Sequence, residues 1–278
     1  MLRLRTDRCI AVLCPDEVAV YRPGRGRVSA AVAEGTAAAF AVPRTGEAPA
    51  WAGAVETLAA WLAQSASPAM RLHVILANRF VRFACVPWSE AIASEGELQT
   101  VARLVLESCY GDMTGWTVSL DHGGWGEARL ACAVEDSLLA KLREVVEAAR
   151  VDCSHIEPYF VTCWNRWCGE LPGGDALLAV AEPQGPAVVA SFRGGAWHSV
   201  RSTGGGQAAA SLRQLLGREA LLQGFEAMPG CWLHCPGLAS SDYAELAGAS
   251  IRVLAPRKHG SSTTISMSMT MALVGNGE

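Results

Sequence analysis

Residues 71–88, RLHVILANRFVRFACVPW, decide how the rest of the chain is read. Leu72, Val74 and Leu76 alternate with His73 and Ile75, and beyond Ala77-Asn78 the residues Phe80, Ala84 and Val86 alternate with Val81, Phe83 and Cys85. Period-two apolarity means extended backbone, because successive side chains of a strand point to opposite faces. Asparagine tolerates the left-handed conformation of a tight turn, so the pattern predicts a single hairpin reversing at Ala77-Asn78. Both faces are apolar, which predicts a sheet covered on two sides, with Arg79 and Arg82 as the polar exceptions. The stretch reads as scaffold: no nucleophile, metal cluster or phosphate loop lies beside it.

Before this core, short strands are expected at 9–13, 18–22 and 27–33, separated by Pro15-Asp16 and Pro23-Gly24. From Trp51 the period changes, and Trp51, Val55, Leu58 and Leu62 form the stripe of an amphipathic helix ending near Ser65. After the core comes a helix over 95–110 with Leu98, Val101, Val105 and Cys109 facing inward and acidic residues in its first turn, where they suit the helix dipole. Strands follow at 116–120 and 128–134, then a helix that Asp136 can cap, with Leu139, Leu142, Val146 and Ala149 as its stripe. A short strand at 151–156 leads into a helix that begins at Pro158 and carries Phe160, Trp164 and Trp167.

Leu171-Pro172-Gly173-Gly174 is the clearest linker. Beyond it strands are expected at 176–181, 187–192 and 196–201, a helix at 207–223, a strand at 231–235, a helix at 241–247 and a strand at 251–254. Ile265, Met267, Met269 and Met271 alternate as a last strand would. Three strands, a helix and a strand thus occur before residue 80 and again after residue 175.

Composition narrows the function. A chain of 278 residues with 50% hydrophobic content has a large core to build. The net charge of −4, with basic residues scattered, argues against a nucleic-acid groove, which needs a concentrated positive footprint. Arg3, Arg5 and Arg8 precede an apolar run (9–14) too short for a signal peptide, and no segment approaches the roughly 18 apolar residues of a membrane span. A cytoplasmic protein is expected. Of ten cysteines, Cys9, Cys14, Cys85, Cys109, Cys132 and Cys153 sit among apolar neighbours and are expected to be buried thiols. The pairs Cys163/Cys168 and Cys231/Cys235 lack CxxC spacing, so no metal site is expected despite Trp164, Trp167, Trp232 and His234 nearby.

The duplicated order resembles the actin-like ATPase fold, and the chain is similar to PilM-type proteins of type IV pilus assembly and to the cytoplasmic domain of the type II secretion protein GspL. The resemblance rests on SFRGGAWHSVRSTGGGQAAASL (191–212), similar to the hairpin, third strand and Gly-Gly-x-Gln helix start of PilM-type proteins. It rests also on NRFVRFACVPW (78–88) and on the position of the segment inserted in the first half. It implies an α/β chain of duplicated actin-like (ribonuclease H-like) halves. The first half is 1–170 with an inserted α+β subdomain at about 79–167, and the second is 175–278.

Active members of that fold carry an Asp-x-Gly loop in the first hairpin of each half, the Asp orienting magnesium and water and the Gly letting amides approach phosphate. The resemblance places those Asp positions on Val12 in AVLCPDEV and Ala181 in AVAEPQGP, with Cys14 and Pro183 at the glycines. The adenosine loop falls on CWLHCPGLASS (231–241), where Cys235 and Pro236 stand before a single Gly237. ATP hydrolysis is therefore not expected. Gly204, Gly205 and Gly206, between a strand and a helix, are weak candidates for residual phosphate binding, although no Lys-Ser/Thr follows them. His122, His155 and His234 sit near Asp121, Asp152 or Ser241 in sequence, but nothing resembles GxSxG, and no catalytic residue is assigned.

Arg79, Arg82 and Trp88 are the candidate partner-binding residues, since Trp and Arg dominate interface hot spots. Trp51, Trp61, Trp125 and Trp197 fall near helix starts or turns, where burial is difficult, and predict an apolar groove for a peptide. The expectation is a non-enzymatic scaffold, a pseudo-ATPase held at the inner membrane by the short cytoplasmic peptide of a membrane-spanning pilus or secretion subunit, with room for a homodimer. The alternative is a nucleotide-binding regulator that uses ATP and magnesium in a modified cleft.

Overall fold

The computed structural model describes residues 7–23, 36–43, 48–182, 185–204, 208–236, 245–246, 250–255 and 267–276. The chain begins with β1 (Asp7–Leu13), β2 (Glu17–Arg22), β3 (Thr36–Ala41), α1 (Ala52–Ser65) and β4 (Met70–Leu76). A 3₁₀ turn, Asn78–Phe80, leads to β5 (Val81–Val86), α2 (Glu95–Tyr110), β6 (Trp116–Leu120), β7 (Arg129–Glu135) and α3 (Asp136–Ala149), then β8 (Asp152–Pro158) and α4 (Tyr159–Trp167). The remainder holds β9 (Ala176–Ala181), β10 (Pro186–Arg193), β11 (Ala196–Gly204), α5 (Ala209–Leu222), β12 (Gly230–His234), β13 (Ile251–Val253) and α6 (Met267–Gly275).

Two five-stranded sheets share one topology. The first has the order β3-β2-β1-β4-β8 and the second β11-β10-β9-β12-β13. In each, the opening three strands form an antiparallel meander and the last two run parallel to the first strand, with β1–β4 and β4–β8 matching β9–β12 and β12–β13. A third, antiparallel sheet, β5-β7-β6, is built from the segment between β4 and β8.

One compact unit comprises Met1–Phe80, Ser137–Arg166 and Pro256–Glu278. Its central strands are apolar on both faces, as the alternating sequence requires. Val55, Leu58 and Leu62 of α1 are buried, while α6 packs across β1 and β2 with Met271, Ala272, Leu273 and Val274 buried. The other unit comprises Val81–Asp136 and Trp167–Ala255. There α5 contributes Leu212, Leu215 and Leu216 to the core of the second sheet, and α2 covers the third sheet with Ala102 and Leu106 against Ala84, Val86, Val118, Ala131 and Ala133.

Several expectations are corrected. Residues 71–88 are not a hairpin: β4 pairs with β1 and β8, whereas β5 pairs with β7 in another sheet. Alternation reports an extended segment but not its partner. Asn78 does not take a left-handed conformation, since Arg150 is the one non-glycine residue with positive φ among those described. Instead Asn78 is buried, and its Oδ1 accepts the Phe160 N–H at 2.8 Å, capping the first turn of α4. The strand expected at 27–33 lies outside the described residues, and the third strand of the first sheet is β3, an alanine-rich, largely exposed edge. The terminal run is a helix rather than a strand, because 271–274 are continuously apolar and buried, which suits a helix laid on a sheet better than an alternating strand. In α2 the expected Leu98, Val101 and Val105 pack half-buried against the core, Ala102 and Leu106 are its fully buried line, and Cys109 is exposed. The helix expected at 241–247 lies mostly outside the described residues.

Candidate functional site

The first place to look for nucleotide chemistry is the β1–β2 turn. Cys14 donates its N–H to Glu17 O at 2.9 Å, and Pro15 has no N–H, so neither position offers an amide to a phosphate. Cys14 is buried, with Sγ 3.7 Å from Met271 Sδ, and Ser268 Oγ donates to Glu17 Oε2 at 2.6 Å. Val12, where the resemblance would put the Asp, is wholly buried and apolar, as is its neighbour Leu13 at the end of the strand. The turn itself carries the carboxylates of Asp16 and Glu17, which repel a polyphosphate.

The second half offers a similar arrangement. Ala181 ends β9 fully buried, and the adjoining Glu182 side chain is buried. Its side chain folds across Gly185, so close that a Cβ placed on Gly185 would come within 2.8 Å of Glu182 Oε2. The Gly185 N–H is bonded to Glu182 O at 3.1 Å. Pro183 lies outside the described residues. Further on, Cys235 and Pro236 are buried, and Gly237 lies outside the described residues. His234 is buried beside Trp167, ring centroids 4.7 Å apart, and its Nδ1 lies 2.8 Å from Leu254 O. Burial pushes its pKa down to about 4 against that hydrogen bond, so the ring is neutral at pH 7. Gly204 is an exposed residue at the end of β11, while Gly205 and Gly206 lie outside the described residues.

The candidate docking residues have different surroundings. Arg82 is half-buried, its guanidinium 3.8 Å over the Trp116 ring and 5.4 Å from that of Tyr110, with Nη1 3.2 Å from Met113 Sδ. Tyr110 itself donates its hydroxyl to Phe83 O at 2.9 Å. Trp88 lies just beyond the end of β5. There it is 37% exposed and meets Trp125, 80% exposed, edge-to-face with centroids 5.6 Å apart and planes at 76°. Arg79 belongs to the 3₁₀ turn of the first unit and is exposed.

Around the two indoles the end of β5, the start of α2 and the β6–β7 loop enclose a cavity of about 190 Å³ that includes Leu98, Glu95, Glu127 and Arg129. Its walls are well tied. Ser94 Oγ accepts the Glu97 N–H at 3.2 Å while Glu97 Oε2 accepts the Ala93 N–H at 2.7 Å, a reciprocal helix cap. Glu127 Oε2 accepts the Gly124 N–H at 2.7 Å, and Arg129 donates to Asp121 O at 3.2 Å. Asp121 accepts the Leu130 N–H at 3.0 Å, yet burial keeps its carboxyl above the ordinary range.

Sequence reasoning missed a polar cluster in the first unit. His73 Nε2 lies 2.9 Å from Glu157 Oε1, too oblique for a well-aligned hydrogen bond, and Thr162 donates to the same oxygen at 2.9 Å. Burial pushes the Glu157 carboxyl up, but His73, Thr162 and His155 outweigh it and hold the pKa below the usual value. The signal was a histidine inside an apolar strand. Among the described residues no three His, Cys, Asp or Glu side chains are placed to hold a metal ion, and no helix is long and apolar enough to cross a membrane.

The duplicated sheets and the inserted third sheet define the chain as a protein of the actin-like ATPase fold. Among solved structures it is similar to the PilM–PilN type IV pilus biogenesis complex, at TM-score 0.62 and 14% identity over 98% of this chain and 99% of the other. It is similar also to a Bacteroides thetaiotaomicron protein of actin-like ATPase fold and unknown function, at 0.58 and 11% over 98% of both chains. The cytoplasmic domain of EpsL, an inner membrane component of the Vibrio cholerae type II secretion system, matches at 0.53 and 12% over 98% and 94%. No protein-family model and no curated protein sequence matches the chain.

Proposed function

We propose that this chain is a non-enzymatic adaptor on the cytoplasmic side of a type IV pilus or related secretion system, where it docks a short peptide of an inner-membrane subunit. The observation that carries the reading is the chemistry of the two hairpin turns. Where an actin-like ATPase needs open amides and a magnesium-orienting carboxylate, this chain has a proline, a sulfur pair sealed by α6, and the acidic side chains of Asp16, Glu17 and Glu182. A triphosphate brought to the first turn meets the side chains of Asp16 and Glu17 and gains no amide from Cys14 or Pro15. The likeness to the PilM–PilN complex and to the EpsL domain supports a role beside a membrane-embedded partner. The segment that builds the third sheet, β5 to β7, is the natural carrier of such a role because it lies outside the two duplicated sheets. Affinity purification of the full chain from a detergent-treated native lysate is expected to recover an inner-membrane pilus or secretion subunit. Recovery of none contradicts the reading.

A further inference from the structure

Trp125 is presented rather than merely uncovered. It sits between Gly124 and Gly126, the latter at φ 84°, and the loop is fixed by Glu127 bonding back to the Gly124 N–H. This turn holds an indole 80% in solvent, edge-to-face with Trp88, itself 37% exposed. Such a surface is costly to leave in water unless something covers it.

The charge around this corner selects the occupant. Glu95 and Glu127 line the cavity, and Glu90 and Glu97 are near in sequence; Glu97 and Glu127 each give one oxygen to a backbone N–H. The basic residue lining the cavity, Arg129, has its guanidinium turned to the carbonyls of Asp121 and Gly124. Two indole faces with carboxylates beside them attract a cation through the ring quadrupole and through direct charge. The same acidic rim disfavours an anionic bilayer surface.

We infer that the Trp88–Trp125 corner is the position at which a peptide partner is read, and that it takes a lysine or arginine side chain flanked by an aliphatic residue, the aliphatic part entering beside Leu98. The inference rests on the adaptor reading and adds to it the site and the chemistry of the peptide.

A random-peptide phage library panned on the immobilised full chain, with Trp125→Ala and Glu95→Lys variants as parallel baits, tests this. Trp125 is so exposed that its removal leaves folding intact, and circular dichroism of each bait confirms it. Enrichment on the native chain of sequences with Lys or Arg next to Leu or Ile is expected. The synthesised peptides are expected to bind at least about tenfold more weakly to both variants, and more weakly as salt is raised. Peptides that lack a basic residue, or that bind the variants equally well, overturn the site while leaving the adaptor reading standing. No enrichment on any bait overturns both.

Discussion

Replacing Asn78 with alanine tests how one side chain joins two distant parts of the first unit. Its Oδ1 is the acceptor for the Phe160 N–H at 2.8 Å, and both residues are buried. The Phe160 amide is in the first turn of α4, where no carbonyl of the helix can reach it. Loss of an exposed cap costs about 0.5–2 kcal/mol. Here water cannot replace the acceptor, so the cost follows that of an unsatisfied buried donor, about 1–3 kcal/mol, with about 2 as the working value. With an m-value of about 2 kcal/mol/M for urea, the midpoint of the transition that unfolds this unit falls by about 1 M. Circular dichroism and tryptophan fluorescence read it together. Asn78→Asp keeps an acceptor at a helix N-terminus and is expected to lose less than Asn78→Ala. A shift for Asn78→Ala below about 0.25 M, equivalent to about 0.5 kcal/mol at that slope, refutes the reasoning.

Gly275 of α6 lies where a Cβ would run into Ile75 and approach Ile10, so Gly275→Val is expected to destabilise by about 1–3 kcal/mol in the same titration. The folded pKa of Glu157 is below its ordinary 4.5, so its contribution is present above that value and lost as pH falls through the lower folded one; Glu157→Gln is expected to flatten the acid limb of a stability–pH curve. In the native protein a thiol reagent is expected to label the exposed Cys109 and Cys168 rapidly. Cys9, Cys85 and Cys132, their pKa pushed to about 11 by burial, and Cys231, pushed to about 12, are expected to react only after denaturation, with peptide mapping as the check.

The duplication was legible because each half repeats its own periodicities: α1 shows its stripe at Val55, Leu58 and Leu62, and β9 matches its expected limits at Ala176–Ala181. What was not legible depends on long-range pairing. Nothing local distinguishes β4 and β5 as neighbours in a hairpin from strands sent to different sheets, because alternation carries no record of the partner. The role of Asn78 arises 82 residues away at Phe160, so turn chemistry alone assigned it to a left-handed reversal. The terminal run 265–271 alternates well enough for a strand, and only the sheet face that α6 covers makes a helix the better burial. At the surface, the exposure of Trp125 was foreseeable from its flanking glycines, whereas its right-angle meeting with Trp88 was not. That the guanidinium of Arg82 lies over Trp116, 34 residues on, was not legible either.

The most direct measurement of the central claim, that this actin-like framework does not work through a nucleotide, is a calorimetric titration of the full chain with ATP and magnesium. No saturable heat is expected at ligand concentrations up to the millimolar range. Binding tighter than about 100 μM, or about −5.5 kcal/mol, would contradict it.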